Sequence, residues 1–279
     1  MTSRRDLLKT ATVAPALAAA AESRITKYVR YRAGSAAAAY GILEGETVRA
    51  ITGPLFGEHK PNGAEHKLAG VKLLYPCQPP KIFAVGLNYK SHIGKQTPPA
   101  NPEIFYKPIT CLQNPGDPIR IPKTALNVHY EGEMAIVIGR RTRNVSAGEA
   151  PQSIFGVTCG IDVSERDWQN GPQKDLQWWR AKGADTFGPL GPCIARGLDY
   201  GNLKLQTRLN GKVVQQQSTS DLLFPPAAIV SWISQAVTLT PGDVIYTGTP
   251  GQTGKMQPGD VVEVEIEGIG VLRNPVAAA

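Results

Sequence analysis

With 279 residues, 42% hydrophobic and 19% charged, the chain has an ordinary globular composition, enough for one large domain or one domain plus a small one. The formal charge of +7 is moderate, and no cluster of Lys and Arg with interleaved aromatics follows the N-terminus, so nucleic acid is a poor partner. A basic body suits small anionic substrates.

The first residues, MTSRRDLLKTATVAPALAAAAES, pair Arg4 and Arg5 ahead of Leu7, Leu8 and Lys9, then run into a short alanine-rich stretch. That stretch is too short for a bilayer, which needs ~20 apolar residues. Residues 1–22 therefore read as a twin-arginine export signal with a periplasmic destination. Export leaves one long-range disulfide open among Cys77, Cys111, Cys159 and Cys193, although widely spaced cysteines without a C-x-x-C pair read first as buried small side chains.

Residues 23–78 alternate short apolar runs with Gly, Pro and charge, the pattern of a small N-terminal subdomain of strands and turns. The prolines of YPCQPPKIFAVG mark a boundary near residue 79. Beyond it IFAVG is a buried strand, and residues 91–103, SHIGKQTPPANPE, begin with helical character and dissolve into a mobile loop or lid. Strands are expected in FYKP, PIRIP, EMAIVIG, IFGVTCGIDV, LQTRLNG, VIYTG and VVEVEIEGIGVLRNPV, with hairpins at LNGKVV and IEGIGV. PPAAIVSWISQAV (225–237) opens on proline and keeps helical spacing, and a second helix over 165–180 is interrupted at Gly171-Pro172. Strands without regular βαβ alternation make a mixed, β-rich α+β protein across residues 79–279.

Chemistry concentrates in NVHYEGEMAIVIG. Glu131 and Glu133 stand two apart, so in a strand they share a face that Ala135 and Val137 continue. A strand apolar on both faces is normally buried, and two bare carboxylates there repel each other and lose hydration at several kcal/mol. Something positive must lie between them. Asp162 ends the apolar run VTCGI and supplies a third carboxylate. Three hard oxygen donors suit Mg²⁺ or Mn²⁺ better than zinc, which prefers His and Cys. An ion-pair network with Arg166 and Lys182 is the other solution the residues allow.

Six blocks in order resemble the fumarylacetoacetate hydrolase (FAH) family: GLNYKSH (86–92), FYKP (105–108), HYEGEMAIVIG (129–139), DVSERDWQ (162–169), KGADTFGPLGP (182–192) and PGDVIYTGTPGQTG (241–254). The resemblance implies a mixed β-roll with a metal at its mouth, a homodimer, and Glu131, Glu133 and Asp162 as ligands of Mg²⁺, or of Mn²⁺ or Ca²⁺. It also implies Lys182 beside the ion to stabilise an enolate or oxyanion, Arg166 and Gln169 on the substrate's oxo-acid group, and Thr247 hydrogen-bonding its carboxylate. A phosphate loop at GTPGQTG is excluded, because G-K-[ST] and a following helix are missing.

His92 decides the reaction type. Family members that hydrolyse carbon–carbon bonds show His-x-x-Glu, whereas here the fourth position is Lys95, which cannot accept the imidazole N–H. Three accounts are open: Glu103 swings in from the lid, Lys95 acts as a base, or water activation is absent and the protein only moves protons. Family weight favours a hydrolase or lyase on a small β-diketo or 2-oxo acid. The alternatives are an isomerase or tautomerase, and a non-catalytic periplasmic oxo-acid binding protein.

Overall fold

The computed structural model describes residues 25–172 and 174–279, so the twin-arginine segment lies outside the described residues. One long sheet runs, edge to edge, through Lys60–Lys67, Thr47–Thr52, Ala39–Glu44, Thr26–Ala33, Gly188–Arg196, Ile154–Ile161, Gly132–Ile138, Val244–Tyr246, Ile82–Gly86 and Glu103–Lys107. The N-terminal strands continue this sheet, because Thr26–Tyr28 pair antiparallel with Arg196–Ile194. A second sheet is built from Lys212–Ser218, Lys204–Leu209, Val261–Ile266, Gly270–Ala278 and Ile119–Ile121. Its two hairpins turn at Asn210-Gly211 and Glu267-Gly268, where the pattern expects them.

The Gly132–Ile138 strand is buried along its whole length, and the alternation of its side chains explains why. Met134 packs with Leu205, Val262 and Val264 of the second sheet, while Ile136 and Ile138 meet Ile229, Val230 and Ile233 of the Pro226–Ala236 helix. Ala135 and Val137 face the other way, into a cluster with Ala84, Phe105 and Tyr246. Both faces are therefore covered by protein, and the glutamates' own face looks toward the Glu103–Lys107 edge.

Two segments depart from the sequence reading. The helix expected over 165–180 is two short ones, Arg166–Asn170 and Trp179–Gly183. Glu165 caps the first by accepting the Trp168 N–H at 2.6 Å, and Gly171-Pro172 stops it, since proline cannot continue the bonding pattern. The second starts after Trp178, whose φ of 55° is a left-handed backbone that bulky residues rarely adopt. In the expected lid, the helix Lys90–Ile93 ends at Gly94, but Glu103 is not loop. It begins the Glu103–Lys107 strand and pairs with Gly86, so it cannot swing inward without breaking sheet pairing.

Candidate metal centre and active site

Glu131, Glu133 and Asp162 are brought together by strand register. Glu133 lies opposite Gly160 in the antiparallel pair of Gly132–Ile138 with Ile154–Ile161, and the Asp162 N–H donates to the Glu131 carbonyl at 2.9 Å. One oxygen from each carboxylate lies within 4.8 Å of the others, and all three residues are buried. Glycine permits this arrangement. A Cβ on Gly132 would sit 2.0 Å from Thr207 Oγ1 and 3.0 Å from Val264 Cγ2, because the second sheet presses on the backbone between the two glutamates.

Cations answer two of the three carboxylates. Lys182 Nζ donates to Glu131 and, at 2.9 Å, to Asp162; Arg166 Nη2 donates to Glu131. Lys107, absent from the sequence-level site, donates to Asp162 Oδ1 at 2.6 Å and to the carbonyls of Lys182 and Phe187. A signal for it existed: alternation along EIFYK puts Lys107 on the inward face with Phe105, a charge at a core position. Burial works to raise Glu131, yet Lys182 and Arg166 outweigh it and hold this carboxyl well below the usual carboxylate range. Glu133 pairs with no cation among the described residues and accepts only the Gly248 N–H, at 2.7 Å. Burial, then Asp162 and Glu131, push its carboxyl well above the ordinary value. A buried carboxylate of that kind, aimed between two others, fits a bound cation.

The sequence-level substrate residues divide. Arg166, Gln169, Lys182 and His92 line one cavity of about 40 Å³ with Glu131 and Glu133, and Arg166 Nη1 donates to Gln169 Oε1 at 2.6 Å. Thr247 does not reach it. Its hydroxyl donates to the Met134 carbonyl at 2.8 Å in full burial, and Thr249 lines the cavity instead. That hydroxyl is itself engaged, donating to the Gly132 carbonyl and accepting from Gln215 Nε2, both at 2.9 Å.

His92 is oriented without a carboxylate. Its Nδ1 lies 2.7 Å from the Gly251 carbonyl oxygen, which can only accept, so Nδ1 carries a hydrogen, and in the neutral tautomer this fixes, Nε2 is the nitrogen with the lone pair. Lys95 lies beyond Gly94 and is exposed, away from the cavity-lining residues. The backbone loop after Val244–Tyr246 thus touches metal-type ligand and imidazole alike, through Gly248 and Gly251. The cysteines take no part: all four are free and buried, and burial pushes the Cys77 thiol up to about 12.

The family sequence profile described as Fumarylacetoacetate (FAA) hydrolase C-terminal matches residues 81–277. The chain belongs to the fumarylacetoacetate hydrolase family. A second profile, Rv2993c-like N-terminal, matches residues 26–76. Among solved structures of the FAH family, 2-hydroxyhepta-2,4-diene-1,7-dioate isomerase from Mycobacterium marinum is 44% identical with a TM-score of 0.84, covering 91% of this chain and 98% of its own. Mitochondrial oxaloacetate tautomerase fahd2 of Xenopus laevis is 39% identical over 221 residues, 75% of this chain and 69% of that protein. Maleylpyruvate hydrolase from Sphingobium sp. SYK-6, solved with manganese(II) and pyruvate, is 27% identical with a TM-score of 0.75 over 91% of this chain and 99% of that one. FAH-family relatives of this chain therefore include hydrolases, isomerases and tautomerases.

Proposed function

We propose that this protein is a divalent-cation-dependent enzyme that moves a proton on a small 2-oxo acid, an isomerase or tautomerase. The observation that carries the reading is the His92 geometry: Nδ1 is held by a neutral carbonyl at 2.7 Å, while Nε2 has no hydrogen-bond partner among the described residues and the ring lines the cavity with Glu131 and Glu133. A carboxylate partner would stabilise imidazolium and help pull a proton from water. A carbonyl does so less, which suits removal of the more acidic proton beside a ketone.

Glu131, Glu133 and Asp162 are the residues that would hold the ion, Mg²⁺ or Mn²⁺, which would supply Lewis-acid polarisation of an oxo acid. The charges agree with an anionic substrate. Lys107, Lys182 and Arg166 equal the three carboxylates in number, although their ion pairs reach only Glu131 and Asp162, so a dication bound to all three ionised carboxylates leaves an excess of two positive charges. Arg166, steadied by Gln169, offers its permanent positive charge and its remaining N–H donors to the carboxylate. His92 Nε2 takes the proton from the carbon next to the ketone and returns it to oxygen or to another carbon. Lys182 Nζ stands where negative charge grows on the former carbonyl oxygen. Trp178 and Leu87 line the same cavity and limit water.

Hydrolysis of a carbon–carbon bond is the second reading, supported by the maleylpyruvate hydrolase relative. One experiment separates these. Purified protein with Mn²⁺ is given oxaloacetate and, separately, an acylpyruvate. Loss of the enol absorbance without new acids supports tautomerisation, release of pyruvate supports hydrolysis, and calorimetric binding without turnover supports the binding-protein alternative.

Export and assembly belong to the same proposal. The Arg4-Arg5 segment supports twin-arginine export to the periplasm, tested by cell fractionation of the wild type against an Arg4→Lys, Arg5→Lys variant. A homodimer is supported by exposed Tyr106, Leu176, Trp179 and Trp232, which cluster about the Glu103–Lys107 edge strand and the Pro226–Ala236 helix. Light scattering of wild type and Trp232→Glu checks it.

A further inference from the structure

The loop Gly248–Gly254 makes a further contact with the site, at Thr253. Arg166 Nη2 donates to Thr253 Oγ1 at 2.8 Å. That hydroxyl in turn lies 3.0 Å from His129 Nδ1, and His129 Nε2 lies 2.9 Å from Asn127 Oδ1. Donor and acceptor roles follow from the far end. Asn127 Nδ2 donates to Asp167 Oδ1 at 2.9 Å, so Asn127 Oδ1 accepts from His129 Nε2–H. His129 Nδ1 is left to accept the Thr253 O–H, and the Thr253 oxygen is left to accept from the guanidinium. The circuit closes on itself, because the Arg166 N–H donates to the Asn127 carbonyl at 2.9 Å. Both the backbone and the head group of Arg166 are thus tied to one ring of hydrogen bonds, in which every member has a partner.

We infer that Thr253 and His129 are positioning residues for Arg166, fixing its guanidinium toward the substrate carboxylate; this rests on the oxo-acid reading of the site. A free guanidinium has several rotatable bonds and would also fold wholly onto Glu131, which it already contacts. The Thr253 hydroxyl takes the second Nη2 hydrogen, which keeps the guanidinium from folding wholly onto Glu131 and fixes its orientation beside the cavity. Neither residue lines that cavity, so their action passes through Arg166.

Thr253→Val keeps the side chain's volume and removes only the hydroxyl. Assayed on oxaloacetate with Mn²⁺, it is expected to raise KM about 5- to 20-fold, as loss of one charged hydrogen bond allows. The turnover number should stay within about twofold and Mn²⁺ affinity should not change. Thr253→Ser, which restores the hydroxyl, should recover the wild-type KM; Thr253→Ala replaces the valine variant if that one does not fold. An unchanged KM in the valine or alanine variant, failure of serine to rescue, or Mn²⁺ affinity falling in step with KM would each overturn the inference. A wild-type protein that neither converts oxaloacetate nor binds oxalate removes the oxo-acid reading and this inference with it, a result distinct from the variant failures.

Discussion

Gly132→Ala tests whether packing by the second sheet sets the metal-type site. The new Cβ would lie 2.0 Å from Thr207 Oγ1, 3.2 Å from Thr207 Cβ and 3.0 Å from Val264 Cγ2, so one strand must move by an ångström or more. Overpacking of this kind costs about 1–3 kcal/mol, and the stiff, β-branched neighbours place it in the upper half of that range. Thr207 Oγ1 is buried and has no hydrogen-bond partner among the described residues, so Thr207→Ala alone should cost little, and in the double variant it should recover at least about 1 kcal/mol. Because Gly132 joins Glu131 to Glu133, the same shift should weaken Mn²⁺ binding. Urea unfolding in EDTA measures the stabilities, and calorimetry measures the ion. A Gly132→Ala protein within about 0.5 kcal/mol of wild type, or a double variant with simply additive losses, would refute the reasoning.

Three more outcomes are expected. Glu133 has its folded pKa raised above the ordinary 4.5, so the ion-free protein should lose stability as pH climbs from that value, at up to about 1.4 kcal/mol per unit. Glu133→Gln should abolish that loss at pH 8 while matching wild type near pH 4, and Mn²⁺ binding should release a proton, seen by calorimetry in buffers of different ionisation enthalpy. Glu131 runs the opposite way: its carboxyl is held low by Lys182 and Arg166 against burial, so its contribution is present above pH 4.5 and should fade on acidification below it, measured as a steeper acid unfolding than in Glu131→Gln. His92→Asn should lower turnover on oxaloacetate about 10²- to 10⁴-fold with Mn²⁺ affinity preserved; equal loss of both would remove His92 from proton transfer.

Much of the fold was legible in the sequence because alternation and turn chemistry are local. EMAIVIG and its glutamates, the hairpins at Asn210-Gly211 and Glu267-Gly268, and the helix after Pro225 all follow from spacing. Where reading and structure differ, a partner elsewhere in the chain decides at Glu103, which became strand because Gly86 was there to pair with it; the helix read over 165–180 shortens to Arg166–Asn170 and Trp179–Gly183, on either side of the Gly171-Pro172 break. Thr247 looked like a ligand of substrate by its motif, but its hydroxyl is taken by Met134. Lys107 looked like an ordinary charge next to proline, and burial against Asp162 gives it its meaning.

The sequence by itself indicated that two glutamates share a buried face and that a third carboxylate ends another apolar run, a set that desolvation makes costly without positive charge nearby. Only the tertiary structure decided which cations answer which carboxylate, that Glu133 is left for an ion, and that the Gly251 carbonyl orients His92. Those choices depend on contacts between segments 20 to 159 residues apart, where one backbone oxygen looks like any other until the chain has folded around it.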